Sequence, residues 1–182
     1  LLTAQAAGQL LKTVVNNSGV IEARTLENRS GTIMLMGDMQ GGAVNMSGVL
    51  DASAPQGGDG GFIETSAARV TIADSARITT VAPSGKTGTW LIDPADFTLA
   101  PLGGNISGAT LSAQLVTNNV LISTMPVAGD ATPGNGDIHV NDAVAWTASG
   151  DATTLTLNAF RDLNINAPIT ATNGNIVACC GR

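Results

Sequence analysis

Short apolar phrases recur along this chain in threes, at nearly constant spacing: GVIEA, GTIML, AVNMS; then GVLDA, GFIET, RVTIA; then ARITT, GTWLI, DFTLA. Matching positions run Ile21, Leu50, Ile78; Ile33, Ile63, Trp90; and Val44, Val70, Phe97, spacings of 26 to 30 residues. Each phrase is β-branched or apolar at its centre and bounded by Gly, Asn, Asp or Ser, as strands between tight turns are. A unit of this length cannot bury its own apolar face, so a fixed period implies stacked coils. Three strands per coil predict an all-β fold, a parallel β-helix.

The rhythm divides the chain. Residues 1–100 carry the coils of long period, about 28 residues. The stretch AQAAGQLL within the first 13 residues reads as a lead-in strand or a helical turn, the strand being preferred. Residues 101–136 break the rhythm with PLGGNISGAT, then LSAQLV, which puts Leu111 and Leu115 at i, i+4 behind Thr110, the expected N-cap. A short helix is expected to project from or cap one flank, followed by the strand NVLIST and a Pro/Gly/Asp-rich loop. Residues 137–182 resume with a shorter period: DIHVN matches DLNIN at 25, VAWTA matches PITA at 23, and LTLNA matches IVACC at 21. All three blocks read as one continuous solenoid. Alternation puts Ile33 with Leu35, Val70 with Ile72, and Phe97 with Leu99 on the inner face.

Composition narrows the class. Charged residues are 12%, aromatics are limited to Phe62, Phe97, Phe160, Trp90 and Trp146, and Gly, Ala, Thr and Asn abound. That suits a repetitive extracellular scaffold better than a disordered tail or an ordinary enzyme. A net charge of −6, with Lys12 and Lys86 the only lysines, argues against nucleic acid or an anionic membrane as partner. No apolar run is long enough for a membrane-spanning helix, so no membrane insertion is expected. The N-terminus lacks the pattern of a signal peptide, and both ends cut into repeat-like sequence, so the chain reads as an internal piece of something longer.

Few residues invite chemistry. Glu64, Asp93, Asp96 and Asp51 lie in or near strands, and paired carboxylates on the outside of a β-helix can serve glycoside chemistry, but spacing alone assembles no pair. His139, between Ile138 and Val140, points away from the core without a second His or a nearby Cys. GGDGG at 57–61 precedes a strand and lacks the Lys-Ser/Thr of a phosphate loop; as a single copy it also lacks the repetition of a calcium roll, so it reads as a turn. Cys179 and Cys180 are adjacent on opposite faces, which predicts an exposed thiol at 179, a buried one at 180 and no disulfide. Asn141, Asn158, Asn164, Asn166, Asn173 and Asn175 at strand ends suit left-handed turns and stacked amide ladders. Thr79 with Thr80 and Thr153 with Thr156 read as outward rows, too irregular for a favoured ice-binding face. No catalytic, cofactor-binding or metal-binding residue is assigned, and no cofactor is expected.

DGGFIETSAARVTIADSARITT followed by GTWLIDPADFTLA, with the phrase Trp90 to Pro94 at its centre, resembles the filamentous haemagglutinin-like exoproteins of Gram-negative bacteria, passengers of two-partner secretion. The resemblance extends from about Val15 to Ala100 and on through GDIHVNDAVAWTA and TLTLNAFRDLNINAPITATNG. It implies a right-handed β-helix forming part of a secreted or surface-displayed rod, non-enzymatic, serving adhesion, aggregation or biofilm. Implied partners are adjacent coils of a longer chain or end-to-end copies, a host-cell glycan or protein receptor, and an outer-membrane transporter. The family's N-terminal secretion domain and C-terminal toxin module have no counterpart in these residues. Two other readings compete: a β-helical carbohydrate-active enzyme or lectin-like module, and a self-assembling extracellular filament subunit.

Overall fold

A computed structural model describes residues 2–3, 14–26, 29–126 and 133–181. The chain is a parallel β-solenoid with three strands per coil and one short helix. In order, the elements are β1 (Leu2–Thr3), β2 (Val14–Asn17), β3 (Val20–Glu22), β4 (Thr32–Met36), β5 (Ala43–Met46), β6 (Val49–Asp51), β7 (Phe62–Ala67), β8 (Arg69–Ile72) and β9 (Arg77–Thr79). Then follow β10 (Thr89–Pro94), β11 (Phe97–Leu99), α1 (Gly108–Leu115), β12 (Asn119–Ser123), β13 (Ile138–Val140), β14 (Val144–Thr147), β15 (Thr153–Ala159), β16 (Leu163–Ile165), β17 (Ile169–Thr172) and β18 (Gly174–Cys180). The stretch AQAAGQLL, expected as a lead-in strand or a helical turn, lies outside the described residues.

One wall is a seven-stranded sheet in the order β1-β4-β7-β10-β12-β15-β18. Its inner column runs Ile33, Ile63, Trp90, Val120, Leu155, Ile176 in register. All of these except Ile176 on the last rung are buried. The other two walls are split: β2-β5-β8 and β11-β13-β16 form one, β3-β6-β9 and β14-β17 the other. Ile21, Leu50 and Ile78 stack as the period requires, and Val44 sits on Val70. The third expected step fails, because Phe97 pairs with Ile138 and Asn105 lies between β8 and β11.

Residues 101–118 fill both breaks. Asn105 works with main chain and side chain together. Its carbonyl accepts from Ile72 N (2.7 Å) and its N–H donates to Thr98 O (2.7 Å). Its side-chain amide donates to Val70 O (2.7 Å) and accepts from Thr98 N (2.6 Å). On the third wall α1 replaces a strand. Gln114 accepts from Ile78 N (3.0 Å) and donates to Ala76 O (3.2 Å). Just past the helix, Asn118 accepts from Thr80 N (2.6 Å) and donates to Ile78 O (3.0 Å). A primary amide carries a donor and an acceptor as a peptide group does, so these side chains close the ladder edge of β9. On the far side Ser112 Oγ accepts from Ala145 N (2.9 Å), and Val116 O accepts from Ser149 N (3.0 Å).

The helix therefore lies in the wall rather than projecting from it. Leu111 and Leu115 are buried as their spacing predicts. The N-cap is Ser107, not Thr110: Thr110 N donates to Ser107 Oγ (3.2 Å), which places Thr110 inside the first turn. NVLIST is a strand, and as β12 it carries the long sheet through the insertion. In the last coils Ile138 pairs with Leu163 and Leu155 with Ile176, at the expected spacings. Trp146, however, pairs with Ala171 at 25 residues, not 23. A two-residue slip leaves every side chain on the same face, so alternation does not detect it.

Candidate functional site

The four singled-out carboxylates separate by environment. Asp51, at the end of β6, is buried, accepting from Arg24 Nε (2.6 Å) and Ser53 N (2.9 Å). Burial alone would raise its pKa, but the Ser53 and Arg24 hydrogen bonds outweigh it and hold the carboxyl below its ordinary value. Asp96 Oδ1 accepts three successive backbone N–H groups, from Asn135 (2.9 Å), Gly136 (2.8 Å) and Asp137 (3.0 Å). Both are committed to holding turns.

Glu64 and Asp93 do share a face. β7 and β10 pair with Glu64 beside Leu91 and Ser66 beside Asp93, so the two carboxylates lie on a diagonal of the outer surface of the long sheet. Ser66 Oγ donates to Glu64 Oε1 (2.6 Å), while Asp93 Oδ1 is buried without a hydrogen-bond partner. Burial, with the negative charge of Glu64 adding to it, pushes the Asp93 carboxyl up to about 6. Asp93 is thus suited to carry a proton near neutrality, the condition a general acid needs. No Lys or Arg occurs in any of the seven strands of this sheet.

Other predicted positions have structural work. His139 is half-buried between buried Ile138 and Val140, paired with Thr98 and Asn164 in the outer row. In the GGDGG turn Gly57 and Gly58 adopt positive φ (110° and 86°), and Asp59 Oδ1 accepts from Lys86 N (2.9 Å). Amide ladders form where Asn166 donates to Asn141 (2.8 Å) and Asn45 to Asn16 (2.8 Å). Asn173 takes the left-handed conformation (φ 51°) and donates to Gly150 O (2.8 Å).

Two expectations need correcting. Cys180 does follow the inner column, in register with buried Ala159, but both cysteines are exposed because no described strand pairs with the far edge of β18. Thr80 and Thr153 are buried rather than outward. Thr80 Oγ1 bonds Asn118 (2.9 Å), and Thr153 Oγ1 accepts from Trp146 Nε1 (2.9 Å) while donating to Leu115 O (2.6 Å).

Sequence reasoning missed Asn105, Gln114 and Asn118, whose amides have no periodic neighbour to mark them. It also missed the Arg161–Asp137 ion pair, in which Arg161 Nε reaches Asp137 Oδ1 at 2.7 Å. Among the described residues no group of three or more His, Cys, Asp or Glu could hold a metal ion, and no helix is long and apolar enough to cross a membrane. Comparisons with protein families, curated proteins and solved structures return no match to the chain.

Proposed function

We propose that this chain is a rod segment of a secreted or surface-displayed bacterial exoprotein of the filamentous haemagglutinin-like kind, serving adhesion, aggregation or biofilm. The observation that carries the reading is the seven-stranded parallel sheet running through the helix-bearing insertion without a break. A solenoid that spends Asn105, Gln114 and Asn118 on keeping its walls closed is built to extend and to present a surface. The resemblance centred on Trp90 to Pro94 adds the bacterial surface setting.

The test is adherence of latex beads coated with the chain to epithelial monolayers and to one another. Saturable adherence or clumping, competed by the free chain, is expected. Coated beads that behave like beads bearing an unrelated acidic protein would overturn the reading.

The Glu64–Asp93 diagonal favours a second reading, a carbohydrate-active enzyme. Release of reducing ends from polysaccharides, abolished in Glu64→Gln and Asp93→Asn, would support it. Absence of release by the unaltered chain, or release that both variants retain, would remove it.

A further inference from the structure

The turns entering β4, β7 and β10 border a shallow groove of 310 Å³ that crosses three rungs of the solenoid. Its floor is backbone. A Cβ on Gly61 would stand 2.2 Å from the carbonyl oxygen of Gly31, and one on Gly88 2.1 Å from that of Gly61, so glycine is required for the rungs to stack here. Phe62 lies on the outer face in the row Thr32, Phe62, Thr89. A threonine therefore flanks the half-buried ring on either side, one strand spacing away, about 4.8 Å. Exposed Asp59 and Lys86 stand at the rim. None of the ion pairs among the described residues engages either of them.

We propose that this groove binds pyranose rings of a neutral glycan. A sugar ring presents an apolar C–H face and a rim of hydroxyls that both donate and accept. Phe62 meets the face; the Asp59 carboxylate accepts, the Lys86 ammonium donates, and the threonine hydroxyls do both. One aromatic surface with a few converging polar groups on a rigid frame is the usual make-up of a small-ligand site, and the volume is at the low end of such sites. Competing occupants fit worse. An added peptide strand needs a free sheet edge, and both edges of β7 are already paired, with β4 and β10. An acidic ligand would meet Asp59 and a chain of net charge −6. The proposal goes beyond the rod reading, which can stand without it.

Saturation-transfer difference NMR on the intact chain tests it, with the methyl glycosides of galactose, glucose and N-acetylglucosamine as probes at millimolar concentration. Saturation of ring protons is expected for at least one probe. The affinity should weaken about tenfold in Phe62→Ala and in Lys86→Ala, and stay unchanged in Thr156→Val, which lies on the same sheet outside the groove. Lys86 is exposed, so its variant keeps the test open even where Phe62→Ala does not fold. No transfer from any probe, or equal transfer in Lys86→Ala and in every folded variant, overturns the site. Bead adherence by the intact chain together with no transfer from any probe would show that the site has failed and the rod reading has not.

Discussion

Single residues in this solenoid matter where they leave the hydrocarbon pattern. Asp93 is the clearest case, because its folded-state pKa of about 6 stands above the ordinary value of 3.8. A raised carboxyl favours the protonated form, so its contribution to stability is intact below about pH 4 and is lost as pH rises through 6. Asp93→Asn is expected to raise stability at pH 7 by about 1–2 kcal/mol, discounted for the partial exposure of the side chain, and to flatten the profile between pH 4 and 7. Urea titrations across that range check this; an unchanged profile would show that Asp93 is not the proton acceptor. Thr153 makes a second prediction. It serves both Trp146 Nε1 and Leu115 O, so Thr153→Val keeps the shape and orphans two buried polar groups. A loss of about 2–4 kcal/mol is expected in urea unfolding followed by tryptophan fluorescence.

At the scale of elements, the substitution of a helix for a strand depends on amides standing in for peptide groups. Asn118→Ala strips the partners from Thr80 N and Ile78 O at once, in a position with no exposure. About 2–4 kcal/mol should be lost, with hydrogen exchange accelerating first in β9. Slow exchange retained at Thr80 would mean that the splice is not what closes this edge. The strands themselves were legible in the sequence, since the stacking of Ile33 on Ile63 and of Ile63 on Trp90 is the period itself. Spacing alone assembled no carboxylate pair, and it is the register of β7 on β10 that sets Glu64 and Asp93 on one face. The burial of Asp93 does not, because it depends on what packs over the outer surface. Register in the last coils was ambiguous for a physical reason: moving Trp146 by two residues changes its partner and not its face. Asn105, Gln114 and Asn118 were illegible because polar residues at single positions carry no period.

The whole molecule is quasi-one-dimensional, each rung touching only its neighbours, so its length is set by strand spacing and the number of rungs. Core residues such as Leu35, Leu50, Trp90 and Phe97 are fully enclosed, whereas Ile165, Ile176 and Val177 in the last described rungs are 43–50% exposed. Cys180 shows the same effect: parity told correctly which way it points, and its exposure follows because no described strand covers the far edge of β18. The rod role we propose requires the rungs to stay in register across α1. Met34, Glu64, Leu91, Leu121, Thr156 and Val177 form one outer row that crosses the insertion. Electron-electron double resonance between spin labels at Met34 and Val177, in a chain with Cys179 and Cys180 replaced by Ser, measures that continuity directly. Five strand spacings predict a single narrow distribution with the backbones about 24 Å apart. A broad distribution, or a separation far from that value, would contradict an unbroken solenoid.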